Sequence, residues 1–210
     1  PAMRLLTALL FLSAPAAAAT PDQVARTYAD LALAGYQDSL TTAQALQQAV
    51  ATLIATPSDE TLQAARTAWL AARVPYQQTE AFRFGNPIVD DWEGRVNAWP
   101  LDEGLIDYTS ADYGNEENAL AALNVIATPT FTLSGTAIDA TTITPALIAD
   151  TLHEADGIEA NVASGYHAIE FLLWGQDLNA TGPGSGNRPH TDFIQGEGCT
   201  NGNCDRRVAY

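Results

Sequence analysis

Residues 165–175, GYHAIEFLLWG, combine a strongly apolar stretch with a histidine and a glutamate. From Val162 to Trp174 the sequence is apolar enough to form a buried helix. His167 and Glu170 are three residues apart, so on a helix both side chains leave the same face and can reach one point. An ionised carboxylate in apolar surroundings needs a cation or several hydrogen-bond donors beside it. The spacing therefore leaves two interpretations open: a metal ion bound by both side chains, or an arginine paired with Glu170 beside a hydrogen-bonded core histidine.

Two long helices are predicted on the N-terminal side of this stretch. The first covers about residues 20–55, because a threonine N-cap, a first-position proline and a capping-box glutamine precede apolar residues at three- and four-residue spacing. The second covers about residues 60–84, and Pro75 is expected to kink it because the proline ring removes a backbone donor. Residues 56–60 end the first helix and cap the second.

Glu80, which follows the expected kink, is the candidate for a third metal ligand. On a helix Arg73, Tyr76 and Glu80 share one face, and that face is polar at the end of an otherwise packed helix. The alternative is a surface ion pair between Arg73 and Glu80. Asp102 and Asp107, in an acidic stretch further along, are two more carboxylates that could approach the histidine and glutamate of the apolar helix.

Long ordered loops and short helices are predicted for the other stretches. Residues 85–113 are rich in Gly, Pro, Asp and Trp and have little periodicity, so they predict an aromatic-packed loop with a helical turn at 102–106. Short helices are expected at 116–127 and 145–155, the latter with proline at its first position. Residues 176–202 form a second loop rich in Gly, Pro and Asn.

The composition excludes several kinds of partner. The 210 residues include 9 basic residues, all arginine, and 25 acidic ones, for a formal net charge of −16. Nucleic acids and anionic membranes are therefore poor partners. The hydrophobic content of 47% is ample for a packed core.

The N-terminus and the cysteines both indicate export. Residues 3–19 contain one arginine, a short apolar run and then small residues, which is typical of a cleaved secretory signal peptide and too short for a stable membrane anchor. The two cysteines, Cys199 and Cys204, lie in a glycine-rich loop, and in an exported protein they most simply form a local disulfide. A metal-binding cysteine pair is the weaker alternative, because the chain has no further cysteine to complete a thiolate site.

The spacing of the motifs excludes the common metallopeptidase signatures. A zincin needs His-Glu-x-x-His, and the pair His153 and Glu154 is followed by Gly157 where the second histidine belongs. An inverted zincin needs His-x-x-Glu-His, and Phe171 occupies the last place. A di-iron bundle needs a second Glu-x-x-His copy, which is absent. A mononuclear site of imidazole and carboxylate ligands, suited to iron, zinc or copper, is left.

Four blocks of the sequence resemble one known family. The Gly-x-His-x-x-Glu pattern at residues 165–170 is similar to the signature of the imelysin family, also called peptidase family M75 or the iron-regulated protein A group. Similar blocks occur at 72–85 (ARVPYQQTEAFRFG), 97–108 (NAWPLDEGLIDY) and 199–207 (CTNGNCDRR). The resemblance runs from about residue 22 to the last residue.

The resemblance implies an all-α fold, a helical bundle with long ordered loops that is the first of two bundles. On this interpretation residues 1–19 are a signal peptide and residues 20–203 are the N-terminal bundle. Residues 204–210, which look like the opening turn of a helix, begin a truncated second bundle.

The resemblance also implies a function. We expect a periplasmic or cell-envelope protein that binds a divalent or ferric metal ion, iron or zinc, through His167, Glu170 and Glu80 and takes part in iron acquisition. Its expected partners are the metal ion or an iron-containing ligand, and iron-uptake proteins of the inner or outer membrane. The alternative is a metallopeptidase of the M75 type that acts on peptides, which requires an activated water and a general base beside the metal.

A third interpretation is a haem or peptide receptor lined by Trp92, Trp99 and Trp174. These tryptophans are more typical of core packing.

Overall fold

The first two helices form a long hairpin. In the computed structural model, which describes residues 18–113 and 118–210, α1 spans Pro21–Ala55 and α2 spans Asp59–Gln78. Thr20 and Gln23 form the predicted capping box of α1, and Ser58 caps α2. The three-residue connection places the helices side by side and antiparallel.

The predicted signal peptide lies almost wholly outside the described residues.

The hairpin packs its apolar face against the helix that carries the histidine and glutamate. This helix, α4, spans Tyr166–Trp174 and begins four residues later than the apolar run predicts. The shared core consists of residues from all three helices: Leu46, Leu53, Leu62, Ala65, Trp69, Ala72, Tyr76, Tyr166 and Leu173. The predicted mainly helical fold is confirmed, and no helix among the described residues is long and apolar enough to cross a bilayer.

The start of α4 is set by a close approach to another helix. Gly165 has φ of 90°, and a Cβ at this position would lie 2.5 Å from the carbonyl oxygen of Val96. Only glycine fits this contact without displacement of the backbone. Val96 lies near the end of α3, Pro87–Asn97, a helix within the stretch that the sequence predicts to be a loop. No residue of α3 is fully buried, which explains why its apolar periodicity is weak.

The sequence predicts a helix at 116–127. Residues 118–127 are the part of this range that the structure describes, and they form turns, so the prediction is wrong there. The backbone N–H groups of residues 124–126 donate to the carbonyls of residues 104–106 over 2.7, 3.0 and 3.1 Å. These bonds to a distant segment replace those of a local helix. The segment that supplies the carbonyls contains the predicted helical turn, a 3₁₀ turn at Glu103–Leu105.

The middle of the chain contains a small hairpin and a π-helical segment. Strands β1, Thr130–Leu133, and β2, Thr136–Asp139, pair antiparallel with Thr130 opposite Asp139. The helix predicted for 145–155 is a short helix with a π-helical part at Leu147–Leu152. The fold is therefore mainly, although not purely, helical.

A buried ion-pair cluster attaches the C-terminal loop and last helix to the body. The carboxylate of Asp107 accepts from Arg188 Nη1 at 2.7 Å and from Arg207 Nε at 2.6 Å, and all three side chains are buried. Arg188 also pairs with Asp192 at 3.0 Å. Asp107 is thus a buried ion-pair partner of the two arginines, and its approach to the candidate ligands stays a prediction.

The last helix, α5, spans Cys204–Ala209, and the predicted disulfide between Cys199 and Cys204 is present. Tyr210 packs into the body, where its hydroxyl donates to the carbonyl of Ala163 at 2.6 Å. The assignment of residues 204–210 to a second bundle stays a prediction.

Replacing Asp107 by asparagine should strongly destabilise the protein. The substitution leaves two buried guanidinium groups with too little negative charge, and loss of one partner from a buried ion pair costs about 3 to 5 kcal/mol. Urea denaturation would measure the change in the free energy of unfolding. Asp150→Asn is the matched control, because Asp150 forms a surface ion pair with Arg95 and such pairs contribute about 0 to 1 kcal/mol. Equal effects of the two substitutions would contradict the prediction.

Candidate metal site

His167 and Glu170 converge on one point, as the helical spacing predicts. Nδ1 of His167 lies 3.0 Å from Oε2 of Glu170, and the two side chains are 17% and 42% exposed. Among the described residues no arginine bonds to Glu170. The arrangement therefore differs from the alternative in which Glu170 pairs with an arginine, and it leaves one imidazole and one partly exposed carboxylate side by side.

The distance between these two donor atoms can be compared with ideal coordination. Bonds of about 2.1 Å place adjacent ligands of an octahedral ion about 3.0 Å apart and those of a tetrahedral ion about 3.4 Å apart. The observed 3.0 Å equals the separation of adjacent octahedral positions, and it is equally the length of an ordinary hydrogen bond between an imidazole N–H and a carboxylate. Nε2 of His167 has no hydrogen-bond partner in the part of the chain that the structure describes. The distance allows both side chains to be neighbouring ligands of one metal ion, and it selects no particular coordination geometry.

Trp99 lies directly beside the pair. Its ring centroid is 4.8 Å from that of His167, with 54° between the ring planes, and the residue is 68% exposed. Trp174, by contrast, packs against Trp69, and Trp92 packs against Tyr76. The three tryptophans therefore have separate surroundings, and the structure brings Trp99 alone of the three into ring contact with His167.

Glu103 is a site residue that the sequence analysis missed. Burial, and after it the negative charges of Asp177 and Glu170, raise the pKa of the Glu103 carboxyl to about 7, against the opposing effect of the Arg188 guanidinium. Asp102, one of the two carboxylates that the sequence analysis considered, accepts a hydrogen bond from Asn118. No local signal separates Asp102 from Glu103, because the two residues are adjacent and only the tertiary structure decides which carboxyl is buried near other negative charges.

Glu80 is engaged in a different interaction. It lies on a 3₁₀ turn at Thr79–Phe82, is 60% exposed on its side chain, and pairs with Arg83 over 2.9 Å. Its expected surface partner, Arg73, instead donates to Asn97 and lies over the ring of Tyr166. Within residues 18–113 and 118–210 no three His, Cys, Asp or Glu residues form a group that could hold a metal ion. The role of Glu80 as third ligand stays a prediction.

The other two histidines have structural partners. Nε2 of His153 lies 3.0 Å from the carbonyl oxygen of Gly94, and Nδ1 of His190 lies 2.7 Å from a carboxylate oxygen of Asp59. Each of these bonds joins segments that are distant in sequence. His167 differs from them in that its polar partner is the glutamate on the next turn of its own helix.

A separate cavity of about 700 Å³ lies between α1 and the end of the chain. Its lining is almost entirely apolar and includes Leu46, Ile169 and Val208. Neither His167 nor Glu170 lines it. The cavity is therefore distinct from the candidate metal site.

Comparison with known proteins agrees with the resemblance in the sequence. A sequence model of the imelysin family, Peptidase M75, matches residues 32–209. Iron-regulated protein A of Synechococcus elongatus is 41% identical over 61 residues, which are 29% of this chain and 17% of that relative. The aligned region thus covers less than a fifth of the relative's length.

Replacing Glu103 by glutamine should stabilise the protein at neutral and alkaline pH. A carboxyl whose pKa is raised on folding, here to about 7 from an ordinary value of 4.5, contributes stability that is complete below the ordinary pKa and is lost as the pH rises through about 7. Glutamine does not ionise. The free energy of unfolding of the variant should therefore equal that of the wild type near pH 4.5. Above pH 7 it should be larger by about 1 to 2 kcal/mol, a figure reduced to allow for the partial exposure of the carboxyl.

Denaturant titrations at several pH values would measure this difference. Glu197→Gln, at an exposed position, controls for the general effect of removing one negative charge. The prediction is contradicted if the free energy of unfolding of Glu103→Gln equals that of the wild type at every pH. Ionisation of the Glu103 carboxyl would then cost the folded protein nothing.

Proposed function

Since this chain belongs to the imelysin family, we propose that it is an exported protein of the periplasm or cell envelope that binds a metal ion through His167 and Glu170. The observation that carries the proposal is the 3.0 Å approach of an imidazole nitrogen to a partly exposed carboxylate on one helical turn. Glu80 is retained in the proposal as a third ligand. Its exposed side chain would have to exchange Arg83 for the metal ion.

The donor set suits iron or zinc, because an imidazole and a carboxylate are ligands of either ion. Iron is placed first because of the family and the name of the relative, iron-regulated protein A. When bound, the ion would supply a Lewis-acid centre at the end of the His167 and Glu170 side chains. The protein residues hold the imidazole and the carboxylate in place, and the partly exposed carboxylate keeps the site open to solvent.

We propose a role in iron acquisition. The support is the family and the name of the relative, iron-regulated protein A. Because the aligned region is a small part of that relative, its biology is carried over here as a proposal. The proposed partners are the metal ion or an iron-containing ligand, together with iron-uptake proteins of the inner or outer membrane.

Export is supported by two independent features. Residues 3–19 have the composition of a signal peptide, and the disulfide between Cys199 and Cys204 is consistent with an oxidising compartment.

A metallopeptidase is the second candidate function, and Glu103 is the observation that favours it. Its carboxyl has a pKa of about 7 and interacts electrostatically with Glu170. A carboxyl that titrates near neutral pH can act as a general base or acid beside a metal-bound water. The family name also refers to peptidase activity.

Replacing His167 by alanine should weaken metal binding at least tenfold, because one of the two closest ligands is lost. Isothermal titration with Fe²⁺ under anaerobic conditions, and with Zn²⁺, would measure the dissociation constants. His190→Ala is the matched control, since His190 also pairs with a carboxylate but lies elsewhere. Thermal melts without metal would show whether each variant is folded. A folded His167→Ala protein with wild-type affinity would contradict the proposal.

Substitutions of Glu170 distinguish a ligand from a residue that orients His167. Glutamine keeps an oxygen that can accept a hydrogen bond from Nδ1 but removes the charge, whereas alanine removes both. Equal, large losses of affinity in Glu170→Gln and Glu170→Ala indicate direct ligation. Chelator-sensitive cleavage of a peptide substrate that disappears in Glu170→Ala would favour the metallopeptidase instead.

A further inference from the structure

We propose that Trp99 is a contact surface for an organic ligand of the metal ion, so that the ion is recognised as a chelate with a planar conjugated group that is neutral or positively charged. The inference rests on the proposed function, because it takes His167 and Glu170 as metal ligands. It adds the chemical class of what the site accepts. Three features of the structure carry it: the open donor set, the position of Trp99, and the surrounding negative charge.

Among residues 18–113 and 118–210, the candidate donor set is smaller than the about four to six ligands of a typical metal ion. In the described ranges, His167 and Glu170 are the two candidate ligands that come together, and no group of three has suitable spacing. An octahedral ion with these two ligands has four further positions, and entry of Glu80 would still leave three. Small donor molecules can fill those positions. A site of this kind can therefore hold an ion that arrives with part of its coordination supplied by another molecule.

Trp99 offers an exposed aromatic side chain in contact with His167. Its ring contacts His167 at 4.8 Å between centroids, yet the residue is 68% exposed, whereas Trp92 is 45% exposed and Trp69 is buried. A planar group bound to the metal beside His167 would cover this exposed ring. Ring pairs of this kind contribute affinity beyond the area that they bury.

The backbone on both sides of Trp99 is fixed. On one side Asn97, the last residue of α3, donates to Glu93 at 3.0 Å and accepts from Arg73. On the other side the N–H of Asp102 donates to the carbonyl of Ala160 at 2.8 Å. The ring is thus presented on an anchored segment, which lowers the entropic cost of using it as a contact.

The charge around the site selects the kind of chelate. Glu103, Glu170 and Asp177 are close enough to interact electrostatically, and the whole chain carries a net charge of −16. An anionic chelate would be repelled, whereas a neutral or cationic one would not. The face of an indole ring also attracts positive charge.

Two nickel complexes of equal charge test the contact. Ni²⁺ is an air-stable octahedral probe, and its 1:1 complexes with 1,10-phenanthroline and with ethylenediamine have the same charge and the same number of open positions. They differ in that phenanthroline is planar and aromatic. Isothermal titration should show wild-type protein binding the phenanthroline complex about three- to tenfold more tightly than the ethylenediamine complex. Trp99→Ala should reduce this ratio to about one and leave the affinity for free Ni²⁺ unchanged.

Three further variants make the result specific. Trp92→Ala, at another partly exposed tryptophan, should keep the wild-type ratio, and Trp99→Phe should keep most of it because a smaller aromatic face is still present. His167→Ala should lose both complexes. The proposal for Trp99 is overturned if the wild-type protein binds the phenanthroline and ethylenediamine complexes equally tightly. It is also overturned if Trp99→Ala leaves the ratio of these two affinities unchanged. In either case the metal site itself stands. Failure of the wild-type protein to bind free Ni²⁺, Fe²⁺ and Zn²⁺ overturns the metal site itself, and with it the proposal for Trp99.

Discussion

The carboxylate of Asp107 joins parts of the chain that are far apart in sequence. It pairs with Arg188 and Arg207, 81 and 100 residues further on, in a region that excludes water from all three side chains. A buried charge without its partners is strongly unfavourable, so these segments must assemble together. The long C-terminal loop, which has few apolar residues of its own, is attached to the body through this cluster.

The same loop secures the short helix that carries the candidate ligands. Nine residues are too few for a stable isolated helix in water, and α4 depends on its neighbours. Its C-terminal carbonyls accept from two arginine-containing segments: Leu173 from the Arg66 side chain at 2.9 and 3.1 Å, and Trp174 from the backbone N–H of Arg188 at 2.8 Å. At its other end Gly165 permits contact with the backbone of α3. The position of His167 and Glu170 thus follows from packing at both ends of α4.

The candidate site combines a favourable geometry with an unfavourable charge distribution. Burial, and after it the negative charges of Asp177 and Glu170, raise the pKa of Glu103, which expresses the cost of ionising this carboxyl in the folded protein. A cation nearby would lower that cost. The two other histidines, by contrast, are engaged with structural partners in the described chain.

Local features of the sequence determined the long helices, the convergence of His167 with Glu170, and the disulfide. Each depends on residues that are close along the chain: a capping box at Thr20, apolar spacing in α1 and α2, a three-residue separation in α4, and a five-residue separation of Cys199 and Cys204. Tertiary structure alone decided that residues 87–97 form a helix, that residues 118–127 form turns, that the carboxyl of Glu103 is buried near other negative charges, and that Asp107 is an interior ion-pair partner. In these cases the deciding hydrogen bonds and charges come from distant segments, and periodicity along the chain carries no information about which distant segment will supply them.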